Sequence, residues 1–516
     1  MNKITKLSLA AVIYTALFNI PIFYLKSVIG NTLIADFVME MAIIIPITII
    51  LFFILSMFPY IGILCISIFF VFGIISNFFI YNFKKSFDEG VLNDILSVEV
   101  DLIVEYLNVL TVASAVIGFL LIYYLLYKFL GSSKYGESKK YSIATIAICI
   151  SILGLMSKGF TSRSLGYTLT NYIPYNIIWS IKEYNKKYKK QLERRNNKTD
   201  LTKKYTFKFD SNDRKPLTVV LIIGESMRGS TVSEKNMPLI HGRKNLILFR
   251  DAKSSETSTR ESIPYMLTSA KSPNIEQSLS EKSVISIFKS LGFETSWIGN
   301  QGIFGVFETS FASIALEADY IITKLELRKT FPNNQIIDEY LIPFIDQRLQ
   351  NYKENSLTVM HLLGSHWRFD QRLPEAFKAP FMPECKNSIP SQCSKEQLMN
   401  SYENSFYYTD MVIDSLLKKL EHKNAIVIYS SDHGFSLGEN GFFGNASKDP
   451  LAQKEQTDIA MFMWLSDYFI KKNPAILERI KKHSKHSVSQ DYIFHSILDC
   501  SGVKSNYIDS SLSFCR

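Results

Sequence analysis

Apolar residues crowd the first third of this 516-residue chain, and no water-soluble core could absorb them in such long runs. Five stretches, near residues 7–28, 37–57, 61–81, 110–129 and 141–155, read as membrane-spanning helices, since a bilayer core asks for roughly 20 apolar residues of helix. The first is not a cleaved leader, because no small-residue cleavage site ends it and similar stretches follow. Pro21 and Pro46 lie inside spans, where neighbouring helices can satisfy the carbonyls that a proline frees. Residues 1–158 are therefore expected to form a five-span membrane domain.

Loop charge sets the expected orientation. Lys3 and Lys6 precede the first span, and Lys128, Lys134, Lys139 and Lys140 surround the connection between the fourth and fifth. These segments should be cytoplasmic. The connection between spans three and four carries Asp88, Glu89, Asp94, Glu99, Asp101 and Glu105 and should face outward, as should everything after the fifth span. The basic stretch 182–204 argues the other way, but long domains cross largely regardless of charge. Residues 159–214 mix Tyr172, Tyr175, Trp179 and Tyr184 with a run of lysines. They read as an interfacial amphipathic helix and linker, or equally as a solvated basic linker.

Cysteine usage agrees with an outward soluble part. Cys65 and Cys149 fall in spans, leaving Cys385, Cys393, Cys500 and Cys515 in the remainder. Two near pairs suit disulfides Cys385–Cys393 and Cys500–Cys515 in an oxidising compartment; the alternative is four thiols in a cytosolic domain.

From residue 215 onward strand-like and helix-like segments alternate. LTVVLII (217–223), SLTVMHL (356–362) and AIVIYS (425–430) are continuous apolar runs, as strands buried on both faces require. Shorter strands are expected at 245–249 and 294–299, with helices at 284–291 and 397–420. This predicts an α/β domain with a mostly parallel central sheet, whose ligands gather at the strands' carboxyl ends. Glu225 follows the first apolar run, Asp432 and His433 follow the last, and His361 and His366 lie at or just past the middle one. Carboxylates and imidazoles converging at one sheet edge suit zinc, although each alone is more often structural. SSETSTRESIPYM supplies hydroxyls just ahead of a helix starting near Arg260. A threonine there could be a phosphate-facing nucleophile or an ordinary N-cap.

GES near the domain start, TSTRESIPYM, GSHW and SDHGFSLGENG together resemble the bacterial phosphoethanolamine transferases of the alkaline phosphatase/sulfatase superfamily. The resemblance covers almost the whole chain and implies that residues 215–516 form a periplasmic sulfatase-like catalytic domain, anchored in the bacterial inner membrane by a multi-pass domain. It implies one zinc, with room for a second, held by Glu225, Thr257, Asp432 and His433. Thr257 is taken as nucleophile because the family threonine lies seven residues before a proline, here Pro264. His366 matches a phosphate-contacting histidine and would be the general acid. Asn93, Ser97 and Asp101, spaced i, i+4, i+8 along one helix face, match residues that hold the donor's ethanolamine. The implied reaction moves phosphoethanolamine from phosphatidylethanolamine to an envelope acceptor through a phospho-threonine.

Departures from the lipid A-modifying branch are informative. Asn445 and Asp458 stand where that branch has histidines, and Phe304 where it has a lysine. Asn445 would therefore line an altered phosphate site, and a lipid-linked glycan (core oligosaccharide or O-antigen) becomes as plausible an acceptor as lipid A. Two other readings stay open: a glycerophosphate transferase of the lipoteichoic-acid synthase type, and an inactive membrane scaffold. A monomer without a nucleic-acid partner is expected.

Overall fold

The computed structural model describes residues 3–30, 34–58, 60–83, 86–87, 92, 109–130, 146, 169–210, 215–303, 310–332, 335–351, 354–447 and 450–516. The chain divides into two compact units, Met1–Lys187 and Tyr188–Arg516.

The first unit contains helices α1 (Lys3–Gly30), α2 (Ile34–Leu55), α3 (Ile61–Phe83) and α4 (Val109–Leu130). Among the described residues, three segments are long and apolar enough to cross a membrane: Thr5–Leu25, Asp36–Leu55 and Ile61–Tyr81. The fourth expected span falls on α4, whose apolar stretch Val116–Lys128 is shorter. The fifth, at 141–155, lies outside the described residues save Ile146, as does Cys149. Inside the unit, the Tyr14 ring meets Phe18, Phe52 and Phe70 at centroid distances of 5.0, 5.5 and 5.1 Å. Outside it, Leu17, Ile20, Ile54 and Ile74 are exposed. An apolar exterior belongs in lipid, where polar groups need internal partners, and several interior ones have them. Thr15 and Thr48 donate to the carbonyls of Ala11 and Ile44 one turn back (2.8 and 2.9 Å). Buried Asn19 pairs both backbone groups of Ile173, and Tyr172 donates to the Glu40 carboxylate.

Helix α5 (Tyr175–Asn196) covers the expected amphipathic segment, with Ile178, Trp179 and Ile181 exposed and the Lys182 ammonium 5.1 Å from the Trp179 ring. That composition suits headgroup depth.

In the second unit the described residues form a seven-stranded sheet: β1 (Leu217–Gly224), β2 (Leu246–Leu248), β3 (Glu294–Gly299), β4 (Tyr320–Ile322), β5 (Ser356–His361), β6 (Asn424–Ser431) and β7 (Met461–Leu465), in the order β2-β7-β6-β1-β5-β3-β4. It is mixed. Strand β7, absent from the sequence reading, runs antiparallel to both β6 and β2, while the other pairings are parallel. β1 and β6 are buried at every position. Alternate residues of β1 serve opposite faces, as a period of two requires. Val219, Leu221 and Ile223 pack with α6 (Thr259–Leu267) and α8 (Asp491–Cys500), and Val220 and Ile222 pack with α7 (Lys395–Leu420). Helix α7 starts at a capping box in which Ser394 and Gln397 satisfy each other's backbone N–H.

Both expected disulfides are present. Cys385–Cys393 closes the loop before α7, and Cys500–Cys515 ties the end of α8 to the last residues. Cys65, in α3, is free.

His495 on α8 is buried, and its Nδ1 accepts the Asp509 N–H at 3.2 Å, so the ring must be neutral with its proton on Nε2. Burial pushes its pKa down from 6.5 to about 4. A histidine with a depressed folded-state pKa binds fewer protons folded than unfolded between those values, so its stabilisation is present above pH 6.5 and is lost as the pH falls toward 4. The chemical-denaturation midpoint of the second unit should therefore fall between pH 7 and 5, and a His495→Gln variant should show a shallower fall over that window.

Candidate active site

Register sets the site. Parallel pairing places Ile223 opposite His361 on β5 and Gly224 opposite Ser431 on β6, so the loops after all three strands start level. Gly224 is required by packing: a Cβ there would sit 2.1 Å from the Tyr429 hydroxyl. Ser226 turns the chain with a left-handed φ of 59°. Its N–H donates to Asp432 Oδ1 (3.0 Å) and its hydroxyl to Glu225 Oε1 (2.6 Å). The Asp432 N–H in turn donates to the Gly224 carbonyl at 3.0 Å. Ligand atoms of Glu225, Asp432 and His433 thereby lie within 4.8 Å of one another, all buried.

The imidazole is aimed. His433 Nδ1 is 2.7 Å from the Gly434 carbonyl, which fixes the proton there and turns the Nε2 lone pair into the cluster. Nε2 stands 3.2 Å from Asp432 Oδ2 and 3.4 Å from Glu225 Oε1. Asp432 Oδ2 is buried with no hydrogen-bond partner within range among the described residues. Burial, then the charge of Glu225, push the Asp432 carboxyl up to about 7. Burial acts the same way on Glu225, but His433 and His366, with hydrogen bonds from Ser226 and Gln301, hold it down at about 2. Two carboxylate oxygens and an imidazole lone pair facing one point, one oxygen orphaned, form a donor set that fits zinc.

The hydroxyl that the structure brings to the cluster is that of Thr259, not the expected Thr257. Thr259 Oγ1 lies 3.2 Å from both Glu225 Oε2 and His433 Nε2. Thr257 instead donates to the Ser447 carbonyl at 3.2 Å, and its own carbonyl accepts the Ala446 N–H at 2.7 Å. The reason is where the helix starts. Ser258 is the extended N-cap and Thr259 the first helical residue, so the amino end of α6 delivers Thr259 to the cluster, whereas Thr257 pins the 444–447 loop.

Asn445 is placed by that loop, its Nδ2 lying 2.9 Å from His433 Nε2. Asp458 is not in the cluster; its carboxylate accepts from Ser230. His366 sits half-buried in the loop after β5, Nδ1 2.5 Å from the Trp367 carbonyl, and burial lowers its pKa despite the nearby Glu225 charge. Asp338 holds that loop by accepting the N–H groups of Leu363 (2.9 Å) and Gly364 (2.8 Å). Gly364 has φ +45°, and a Cβ there would come 3.1 Å from the Glu225 nitrogen. His361 stays in the wall, edge-on to Trp297 and Phe311 and kept neutral by burial. The sequence reading missed Gln301, whose Nε2 donates to Glu225 Oε2 (3.0 Å) and the Leu362 carbonyl (2.9 Å). The signal was available, for Gln301 follows β3 as Glu225 follows β1. Asn93, Ser97, Asp101 and Phe304 lie outside the described residues.

The sulfatase family model matches residues 217–503, and the chain belongs to the sulfatase family. Within it, the chain is 27% identical over 324 residues to the phosphoethanolamine transferase EptA of Escherichia coli K12, covering 59% of this chain and 57% of that protein. It is 28% identical over 353 residues to the Kdo(2)-lipid A phosphoethanolamine 7''-transferase of the same strain, covering 66% and 61%. The match thus spans less than two thirds of these relatives' length. The structure of the integral membrane lipooligosaccharide phosphoethanolamine transferase A from Neisseria meningitidis superposes with TM-score 0.78 over 99% of this chain and 98% of that one, at 19% identity. The fold is therefore shared along the whole chain, and with the apolar helices it makes this a membrane protein.

Metal content tests the cluster directly. The purified chain should bind zinc through it, and Asp432→Asn should lose that zinc. Gln301→Ala should weaken zinc affinity by about 10–100-fold, the usual effect of removing a group that orients a ligand, as read by chelator competition.

Proposed function

We propose that this chain transfers phosphoethanolamine from phosphatidylethanolamine to a lipopolysaccharide-type glycolipid, with Thr259 as nucleophile. The observation that carries this reading is the Thr259 hydroxyl, held between Glu225 and His433 at the amino end of α6. That end offers unpaired backbone N–H groups and a favourable dipole to a phosphate. The hydroxyl oxygen lies 3.2 Å from both Glu225 Oε2 and His433 Nε2, close enough to share one cation with them, and the hydroxyl proton would then pass to solvent. Zinc on Glu225, Asp432, His433 and Thr259 would lower the hydroxyl's pKa and neutralise phosphate charge.

Two displacements follow. Thr259 Oγ1 forms a bond to phosphorus while the bond to diacylglycerol oxygen breaks, and protonated His366 gives its proton to that oxygen. The acceptor hydroxyl then attacks phosphorus, the Thr259–phosphorus bond breaks, and His366 takes the acceptor's proton. With Nδ1 against the Trp367 carbonyl, the Nε2 atom of His366 is the one left to exchange protons. Asn93, Ser97 and Asp101 would hold the donor head. Similarity to the Kdo(2)-lipid A phosphoethanolamine transferase supports a Kdo–lipid A acceptor over the O-antigen reading, and both relatives favour phosphoethanolamine over glycerophosphate. The two disulfides support an outward, oxidising location for the second unit. A monomer suffices, since one chain supplies the whole cluster.

Incubating the full-length protein with phosphatidylethanolamine should add one phosphoethanolamine mass to Thr259, and phosphatidylglycerol should add nothing. Thr259→Ala should abolish the adduct and cut transfer by roughly 10³-fold or more. Thr257→Ala should keep the adduct, losing only what a displaced 444–447 loop costs. An adduct on Thr257, or on neither residue, would overturn the assignment.

A further inference from the structure

We propose that a basic pocket away from the zinc cluster is a recognition subsite for a phosphate group on the acceptor glycolipid; the inference rests on the proposed transferase reading. The pocket, of about 680 Å³, lies between the segment entering the second unit and the segment after α8. Lys208 and Lys504 exchange two backbone hydrogen bonds (3.0 and 2.8 Å), which places two cations side by side, and Lys204 adds a third. All three lysines are exposed, and none has a carboxylate partner among the described residues. Elsewhere on this unit many lysines are paired, as Lys271 is with Asp509 and Lys282 with Asp200. Three unpaired cations around one concavity repel each other and favour an anion.

The other lining groups suit a sugar phosphate better than a bare ion. Thr206, Ser505 and Asn506 offer hydroxyl and amide partners, Arg516 lines the pocket with its guanidinium paired to Asp499 at 2.9 Å, and the Tyr205 ring lies against Tyr507 at 4.2 Å. The wall is fixed covalently, because Cys500–Cys515 closes the loop that carries Lys504, Ser505 and Asn506.

The pocket is also coupled to the reaction centre by a ruler. Tyr507 Oη lies 2.7 Å from the hydroxyl of Ser269, just past the far end of α6, whose first residue is Thr259. Nine helical residues span about 13 Å. An acceptor that reaches from the lysines past the length of α6 could place a phosphate in the pocket and a hydroxyl toward Thr259. Such a contact would select phosphorylated acceptors without touching the donor step.

The test uses the full-length chain in detergent with bisphosphorylated lipid A, the same lipid dephosphorylated, and phosphatidylglycerol. Bisphosphorylated lipid A should slow amide exchange at residues 204–208 and 504–507. A Lys204→Ala/Lys208→Ala/Lys504→Ala variant should bind it about tenfold more weakly, as three exposed ion pairs warrant, and raise the acceptor KM while loading Thr259 at the normal rate. Equal binding of the two lipid A forms, or unchanged binding by the triple variant, would overturn the subsite. So would equal protection by phosphatidylglycerol, which would make the pocket a general anionic-lipid surface. Failure of Thr259 to load at all would instead overturn the transferase reading, and the binding arms would still report on the pocket.

Discussion

Two buried carboxylates and an imidazole lone pair converge on one point at the sheet's edge, and Asp432 Oδ2 there has no hydrogen-bond partner among the described residues. Like charges about 4 Å apart repel by about 4 kcal/mol even at an effective dielectric near 20. The arrangement persists because the donors stand on a sheet buried on both faces. β1 and β6 expose nothing, and their register cannot slip without moving every side chain to the wrong face. Fold stability is thus spent on a local conflict that a divalent cation bound there would relieve.

Around that point the loops are held from several directions. Ser226 ties Glu225 to Asp432, Gln301 ties Glu225 to the end of β5, and Asp338 anchors the turn that carries His366. Thr257 holds the loop that brings Asn445 to His433. The nucleophile candidate is delivered differently, by the amino end of a helix, which supplies both its position and a field that favours phosphate. Carboxylates and imidazole thus stand at strand ends and the hydroxyl at a helix end.

Much was legible in the chain itself. Continuous apolar runs gave β1, β5 and β6 because strands buried on both faces have no alternation to hide. Polar residues directly after such runs marked Glu225, Asp432 and His433, and cysteine spacing marked both disulfides. Less was legible where the partner is distant. β7 was missed because an antiparallel strand inserted between β6 and β2 has no local signature beyond MFMWL. Gln301 follows β3 as Glu225 follows β1, but an amide is a weaker sign of chemistry than a carboxylate, and its reach to Glu225 shows only once β3 lies beside β5.

The sequence by itself determined which segments must leave water, which strands must be central, and which residue types gather at their ends, because burial and periodicity are properties of consecutive residues. Only the tertiary structure decided between Thr257 and Thr259. Both are hydroxyls in one short stretch, and counting back to Pro264 favoured Thr257, which the structure does not bring to the cluster. The choice depends on where α6 begins and what its first turn faces, and those are set by packing against β1, β6 and α8 rather than by any neighbour in the chain.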